Sequence, residues 1–217
     1  MKKEELARKI KTGILEADVT EDAVRKFIKK AKEYPFRAIA VDSPYFEVAK
    51  ELLQGTGIWL TAPVSYPLGG MTTETKICQI KYAIDKEADE INVSMNYNAI
   101  KSGDFATVLD EVKRIVEMAE DKIEVVVISQ FYILTDEEKI KVCDVILKGG
   151  VRAIKTNGHG ARARPEDVVL IRREFGDELS IEASGVVRTT EQALEFLRLG
   201  GNYIHTTTPY QVMENAD

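Results

Sequence analysis

Eight short segments with the composition of β-strands alternate with amphipathic helical segments along the chain. The strand-like segments are rich in Val, Ile and Thr, and turn residues bound several of them. Each intervening segment is long enough for one helix, as a parallel crossover of roughly a dozen residues or more requires. This alternation restricts the chain to an α/β architecture with a parallel sheet. The predicted strands cover residues 9–15, 37–43, 57–66, 88–96, 123–131, 151–157, 179–184 and 202–208.

The helical segments present apolar faces and carry recognisable start signals. Val24 and Ile28 recur at helical spacing, and Thr135 with Glu138 fits a capping box. Eight strand–helix units in 217 residues predict a (β/α)8 TIM barrel formed by residues 1–217 as a single domain. An open, doubly wound sheet is the alternative. It is disfavoured because no Gly-x-Gly-x-x-Gly motif follows the first strand.

Charge and apolar patterning argue against several classes of protein. Lys and Arg number 30 against 36 Asp and Glu, a net charge of −6, whereas sequence-independent nucleic-acid binding depends on cations that neutralise phosphates. No apolar stretch approaches the roughly 18 residues needed to cross a membrane, and no apolar signal core follows the charged start. Cys78 and Cys143 support neither a disulfide framework nor a cysteine zinc site. We therefore expect a cytoplasmic protein without nucleic-acid or membrane partners.

Side-chain parity along the predicted strands turns an unusual set of polar residues into the barrel. Side chains of a barrel strand alternate between the helix layer and the interior. If the apolar residues of each strand face the helices, Lys155 of the sixth strand, Glu182 of the seventh and His205 of the eighth face the interior. Unpaired charges there cost several kcal/mol each, so they should meet one another, water or a ligand. In the fourth strand the inward set is Glu90, Asn92, Ser94 and Asn96.

Six motifs lie near the ends of the predicted strands and the starts of the following helices. In this order and at these spacings they resemble the deoxyribose-phosphate aldolases, class I (Schiff-base) aldolases with a TIM-barrel fold, over nearly the whole chain. The motifs are Tyr-Pro-Leu-Gly-Gly-Met-Thr-Thr-Glu-Thr-Lys (66–76), Ala-Asp-Glu-Ile-Asn (88–92), Lys-Ser-Gly-Asp (101–104), Leu-Thr-Asp-Glu-Glu (134–138), Ile-Lys-Thr (154–156) and Ala-Ser-Gly-Val-Val-Arg-Thr (183–189).

The resemblance implies a carbon–carbon lyase that needs neither a metal nor another cofactor. It implies that Lys155, within Ile-Lys-Thr, is the amine that forms the carbinolamine and imine with the aldehyde donor. The implied partner is a small carbonyl compound or sugar phosphate. Because relatives are commonly dimers or larger, the resemblance also implies a homo-oligomer.

Several catalytic positions depart from the family pattern. Asn92 stands where the family has an aspartate, and Glu182 stands where it has a second active-site lysine. The opening Asp-His-Thr-Leu-Leu-Lys signature is replaced by Lys-Thr-Gly-Ile-Leu-Glu at residues 11–16. Val186 replaces a glycine, which makes close approach of a ligand to the backbone harder there. The final Gly-Thr-Ser-Ser is His-Thr-Thr-Thr at 205–208.

These departures predict altered chemistry. An amine attacks a carbonyl only when it is neutral, and a carboxylate at Glu182 favours the ammonium form of Lys155. The sequence therefore predicts weak or absent activity on deoxyribose phosphate itself. Alternatively, Glu182 is a relocated general acid/base, with Asn92 orienting water or substrate. Burial also depresses a lysine pKa, even beside a carboxyl group if that group is protonated.

Candidate anion-binding groups follow the last three predicted strands, at the barrel end where such enzymes keep their chemistry. Backbone N–H groups, hydroxyls and guanidinium groups there are suited to a phosphate. For the two arginines, an equally weighted reading is a solvated cation before a helix. A metal site made by both histidines and Glu182 is a weaker alternative, because no paired-histidine motif supports it. The candidate substrate-binding residues are Gly158, His159, Arg162, Arg164, Gly185, His205, Thr206 and Thr207.

The leading hypothesis is a lysine-dependent aldolase in which Lys155 is the nucleophile, Glu182 the proton carrier and Asn92 an orienting group. The competing hypothesis is a catalytically inactive or repurposed barrel that binds a sugar phosphate, with Lys155 and Glu182 fixed as a structural ion pair.

Overall fold

A closed barrel of eight parallel strands forms the centre of the molecule, as seen in a computed structural model that describes residues 1–158 and 160–216. Neighbouring strands pair in chain order, and the last strand pairs with the first through Ile10 and Ile204. The predicted TIM barrel is thus confirmed, and the open-sheet alternative is wrong because the sheet has no edges. The strands are β1 (Ile10–Ile14), β2 (Ala38–Val41), β3 (Trp59–Val64), β4 (Glu90–Ser94), β5 (Glu124–Ile128), β6 (Ala153–Lys155), β7 (Ser180–Ser184) and β8 (Tyr203–His205).

Helices surround the barrel and pack their apolar faces on it. Thr135 and Thr189 begin their helices with complete capping boxes, as the Thr135–Glu138 spacing predicts. In the described part of the chain the α-helices are α1 (Lys3–Ala7), α2 (Glu21–Ala31), α3 (Phe46–Leu53), α4 (Thr73–Asp85), α5 (Tyr97–Lys101), α6 (Phe105–Ala119), α7 (Asp136–Lys148), α8 (Pro165–Phe175), α9 (Thr190–Arg198) and α10 (Pro209–Met213), with short 3-10 helices at Ser43–Tyr45 and Phe131–Ile133.

Two layers of buried residues make the core. The apolar residues of the strands, such as Ile91 and Val93, are buried in the hydrophobic core. The opposite parity of β4 places Glu90 and Asn92 inside the barrel, where Glu90 contacts Lys11 of β1. Because β1 and β4 do not pair with each other, this contact runs across the interior. The parity argument for β4 is therefore confirmed for these two residues.

The last predicted strands are longer than the observed ones. β6 ends at Lys155 rather than at residue 157, and β8 ends at His205 rather than at residue 208. After Lys155 the chain turns into a loop, in which the Gly158 N–H donates to the side chain of Gln130 at 2.8 Å. Strand-like composition therefore continues into the loops that carry the candidate site.

Buried ion pairs tie neighbouring helices together outside the barrel. Lys76 of α4 lies 2.7 Å from Glu111 of α6, and Lys139 of α7 lies 2.8 Å from Asp167 of α8. Both pairs lie in the helix layer, outside the barrel interior, so substitutions there leave the interior unchanged. Within residues 1–158 and 160–216, no helix combines the length and apolar character needed to span a membrane.

Candidate active site

Lys155, the last residue of β6, and Glu182, in the middle of β7, meet inside the barrel. They are register partners of β6 and β7, so parallel pairing aims both side chains at the same side of the sheet. The Nζ atom of Lys155 lies 3.2 Å from Oε1 of Glu182, and both side chains are buried. The predicted encounter of these two residues is therefore present in the structure.

Asn92 connects Lys155 to a second carboxylate. Lys155 Nζ donates to Asn92 Oδ1 at 3.2 Å, and Asn92 Nδ2 donates to Glu90 Oε1 at 2.8 Å. Glu90 also accepts from the Thr61 hydroxyl at 3.0 Å. The Asn92 amide is thereby fixed with its oxygen towards the amine, as a group that orients its neighbours without carrying a proton.

Lys11 of β1 is a member of this group that the sequence reasoning missed. Its Nζ donates to Glu90 and lies 2.9 Å from Oε2 of Glu182, and the residue is only 3% exposed. Strand alternation alone could have identified it, because Lys11 faces inward when Ile10 and Ile14 face the helices. We call Lys11, Glu90, Lys155 and Glu182 the charged cluster.

The pKa of Lys155 lies below its ordinary value. Burial is the largest cause, and it outweighs Glu182, which raises this pKa, while Lys11 lowers it further. Glu182 thus favours the ammonium form of Lys155, as expected, but burial has the larger effect and lowers the pKa overall. Burial alone would raise the pKa of Glu182, but the ammonium groups of Lys11 and Lys155 hold it well below its usual range. The structure thus gives an ionised Glu182 rather than a protonated one.

Burial and neighbouring charges also shift the pKa values of Glu90, Lys11 and His205. Burial raises the pKa of Glu90, although Lys11 opposes the effect. Burial would lower the pKa of Lys11, but Glu182 and Glu90 together raise it above its ordinary value. His205 Nδ1 lies 3.3 Å from Glu182 Oε1, and burial together with Lys155 lowers the pKa of this histidine to about 4. At neutral pH, His205 is an uncharged imidazole beside a carboxylate.

A cavity of about 280 Å³ opens above the charged cluster. Lys155 and His205 both line it, whereas Glu182 lies behind them. Its size suits a small ligand, since ligand pockets begin at roughly 300 Å³. Of the other predicted substrate-binding residues, Gly158, Gly185, Thr206 and Thr207 also line the cavity. The arrangement thus presents a buried amine of lowered pKa to a space that admits a small molecule.

Comparison with known proteins assigns the chain to a family. A deoxyribose-phosphate aldolase from Bacillus cereus is 34% identical over 212 residues, which cover 97% of this chain and 95% of that protein. The chain belongs to the deoxyribose-phosphate aldolase family. A second member, from a Geobacillus strain, is 33% identical over 96% of this chain and 95% of its own length. The chain matches no family model.

A solved structure of this family confirms the fold. The deoxyribose phosphate aldolase of Aeropyrum pernix, which is described as having a unique tetrameric structure, superposes with a TM-score of 0.90 at 24% identity. The superposition covers 98% of this chain and 91% of the other. This chain and that structure therefore share the same barrel fold.

The two arginines predicted to bind an anion do not line the cavity. The Arg164 guanidinium instead binds the Asp167 carboxylate at 2.9 Å, just before α8 begins. Arg162 is exposed, and its backbone carbonyl accepts from Asn157. The geometry favours the reading of Arg164 as a paired cation at a helix start. His159, the remaining candidate, lies outside the described residues.

Several predicted anion donors are already engaged within the protein. The Gly158 N–H donates to Gln130, and the Thr206 hydroxyl donates to the Val187 carbonyl at 2.6 Å. The Thr206 N–H donates to the Lys11 carbonyl at 3.1 Å. Gly158 and Thr206 therefore shape the cavity, and the sequence alone did not reveal these internal bonds.

The cavity wall also contains residues that sequence reasoning did not propose as ligand contacts. Glu16, Tyr66 and Arg188 line it, so both an anion and a cation stand near its mouth. Val186 lines it as well, with a φ of 54° in the left-handed region that valine rarely adopts. The strained backbone occurs at the position where the family has a glycine.

A metal centre receives no support from the described residues. In residues 1–158 and 160–216, no three His, Cys, Asp or Glu side chains are grouped so that they could hold a metal ion. The alternative site with both histidines includes His159, whose position is not described.

Proposed function

We propose that this protein is a Schiff-base aldolase that cleaves or forms a carbon–carbon bond in a small hydroxy-carbonyl compound, with Lys155 as the nucleophile. The observation that carries the proposal is the buried Lys155 amine, of lowered pKa, in the wall of a cavity of about 280 Å³. Membership of the deoxyribose-phosphate aldolase family supports it. A neutral amine in such a place is equipped to attack an aldehyde carbonyl.

In the cleavage direction, the Lys155 amine adds to the substrate carbonyl carbon and loss of water gives a protonated imine. The bond between Cα and Cβ breaks as a base takes the proton of the β-hydroxyl group, and its electron pair moves towards the imine to form the enamine. An aldehyde leaves, and an enamine stays on the lysine. Protonation of the enamine carbon and addition of water release the second carbonyl compound and the free amine.

Proton transfer in this scheme is assigned to Glu182, with Asn92 as an orienting group. Glu182 is ionised and lies 3.2 Å from the amine, so it is placed to accept a proton. His205 lines the cavity in its neutral form and contacts Glu182, which makes it the link between that carboxylate and the substrate. Asn92 Oδ1 holds the amine itself.

The substrate is proposed to be a phosphorylated aldehyde sugar, by analogy with the relatives named for deoxyribose phosphate. Gly185, Thr207 and Arg188 line the cavity and are the residues assigned to the phosphate. Weak turnover of deoxyribose phosphate itself stays a prediction. Its basis is Asn92, which cannot carry a proton, and Val186 in the cavity wall. A homo-oligomer is likewise proposed, on the analogy of the tetramer from Aeropyrum pernix.

The second candidate is a barrel that binds a sugar phosphate without reacting with it. The contact of 3.2 Å between Lys155 and Glu182 favours it, since an amine fixed in an ion pair is not a nucleophile. The two candidates differ in whether Lys155 forms a covalent adduct.

Borohydride trapping distinguishes them. The protein is incubated with acetaldehyde, glyceraldehyde 3-phosphate or deoxyribose 5-phosphate, reduced, digested and analysed by mass spectrometry, with Lys155→Arg as the control. The aldolase predicts a reduced adduct on the Lys155 peptide of the wild type alone. Calorimetric binding of a sugar phosphate without an adduct from any of these carbonyl compounds would establish the binding protein instead.

A further inference from the structure

Lys11 occupies the point where the two carboxylates of the charged cluster converge. It contacts Glu90 of β4 and Glu182 of β7, two strands that do not pair with each other, so its amine lies in the barrel interior between them. Its exposure is 3%, and that of Glu182 is 2%. A cation placed there is not a solvated surface lysine, since long charged side chains are almost never fully buried unless they are paired.

The charges of the cluster balance only if Lys11 is counted. Without it, two buried carboxylates would face the single ammonium group of Lys155, and that group would have to stay charged to compensate them. With it, a second buried ammonium group contacts both carboxylates, so Lys155 is no longer the only cation that compensates them.

The contacts of Glu182 are electrostatic rather than directional. Its oxygens lie 2.9 Å from Lys11, 3.2 Å from Lys155 and 3.3 Å from His205. Within the part of the chain that the structure describes, none of these contacts has the geometry of a hydrogen bond. The carboxylate is therefore held chiefly by the charges around it, behind the cavity wall.

In the sequence, the charges at two positions are reversed relative to the family pattern. The resemblance to the family's motifs implies a lysine at the position of Glu182 and an aspartate at the position of Lys11. The structure places these two exchanged residues in contact, 2.9 Å apart. One ammonium and one carboxylate are kept, with their strands interchanged.

We propose that Lys11 is a positioning residue that neutralises Glu182 across the barrel and thereby releases Lys155 from the role of counter-ion. The inference rests on the proposed function for its catalytic meaning, but the charge state of Lys155 is measurable without any turnover. Lys11 itself does not line the cavity.

Among the described residues, four charged or titratable side chains of the barrel interior surround Lys155. Glu182 on β7 and His205 on β8 lie beside it, and Lys11 on β1 and Glu90 on β4 complete the set. Tyr203 of β8 faces Lys11, whose amine lies 4.9 Å from the ring centroid. The aromatic ring adds a further contact that favours the charged form of Lys11.

The test measures the pH dependence of acetylation of Lys155 by acetic anhydride, read as the acetylated fraction of its peptide by mass spectrometry. Lys11→Met should shift the midpoint upward by at least about one pH unit, which reduces modification at neutral pH about tenfold or more. Lys11→Arg keeps the charge and should retain the wild-type midpoint to within about half a pH unit.

The exchanged double variant gives the decisive comparison. Lys11→Glu alone should suppress modification of Lys155 at neutral pH more than Lys11→Met does, because a third carboxylate is added. Combining it with Glu182→Lys restores the wild-type net charge of the cluster. The double variant should show at least about tenfold more modification of Lys155 at neutral pH than Lys11→Glu alone. Circular dichroism and thermal unfolding establish that each variant is folded.

Lys139→Met is the matched control, because it breaks a buried ion pair in the helix layer and leaves the barrel interior unchanged. It should lower stability without moving the Lys155 profile. If folded Lys11→Met retains the wild-type midpoint, or if the double variant behaves like Lys11→Glu, the proposal is overturned. The aldolase assignment is judged separately, by borohydride adducts on the wild type.

Discussion

The Oε1 atom of Glu182 lies 3.2 Å from the amine of Lys155 and 3.3 Å from Nδ1 of His205. Only Lys155 and His205 of these three line the cavity. The carboxylate therefore acts on a ligand through its two neighbours, or through a water that it holds. Glu182 could serve as a structural partner of Lys155 or as a proton carrier. Only the second role makes use of His205, so substitution of Glu182 distinguishes them.

Replacement of Glu182 by glutamine should separate imine formation from turnover. The change removes a negative charge beside the amine, so the pKa of Lys155 should fall further and the neutral amine should still form a borohydride-reducible imine. Loss of the proton carrier should lower kcat about 100-fold or more. The measurements are the trapped fraction with acetaldehyde and the rate of sugar-phosphate cleavage.

Glu111→Gln is the control for that variant, because it removes a buried carboxylate from the helix layer, where Glu111 pairs with Lys76. It should cost stability and leave both kinetic measurements close to the wild type. Unchanged kcat in Glu182→Gln would remove Glu182 from the mechanism.

Acidification should destabilise the protein in a window set by His205. Its pKa is about 4 in the folded protein, mainly because of burial, and 6.5 in the ordinary state. Since the unfolded chain binds the proton more readily, stability present above pH 6.5 should be lost as the pH falls towards 4. The loss attributable to this histidine is about 3 kcal/mol at most.

Urea unfolding between pH 8 and pH 4 measures this effect, and His205→Gln removes the titrating group. The variant should have a flatter stability profile across that window. Glu182, whose pKa is lowered, acts with the same sign but at lower pH, below its ordinary value of 4.5. Parallel profiles for wild type and variant would show that His205 is not buried in its neutral form.

Strain at Val186 should be measurable at the cavity mouth. Its φ of 54° lies in the left-handed region, which costs a β-branched residue about 1–3 kcal/mol. Val186→Gly removes this strain and bares a backbone N–H at the cavity, so we expect a lower KM for a phosphorylated substrate and unchanged or slightly higher stability. Val186→Ala shortens the side chain but keeps the strained backbone, so it should gain less in stability. Equal KM values in all three proteins would exclude Val186 from ligand binding.

The sequence predicted the barrel and the central pair because both follow from local rules. Strand parity turned Lys155 and Glu182 inward, and adjacent parallel strands bring such residues together. Lys11 was missed because its partners lie across the barrel, and those contacts depend on closure of the sheet. The ligand role expected of Arg164 competes with its local bond to Asp167 at 2.9 Å, three residues along the chain. Bonds within loops, which decide which donors are free, leave no periodic signal in a sequence.

Gly185 should tolerate no side chain, for reasons that are geometric and independent of the chemistry. Its φ is 127°, and a Cβ there would lie 2.3 Å from the Ala161 carbonyl oxygen, which belongs to the backbone of the adjoining loop. Gly185→Ala must therefore move one loop away from the other, and we expect a loss of about 2 kcal/mol or more in the free energy of unfolding.

Gly160→Ala is the matched control, since Gly160 also has a positive φ, of 77°, but no neighbouring atom lies within 4 Å of its Cβ position. It should cost only the conformational penalty of about 1 kcal/mol. Because Gly185 lines the cavity and Gly160 does so at its exposed edge, the KM for a sugar phosphate should rise in the first variant and change little in the second. Equal stabilities for the two variants would mean that the contact between the loops after β6 and β7 is looser than the structure shows.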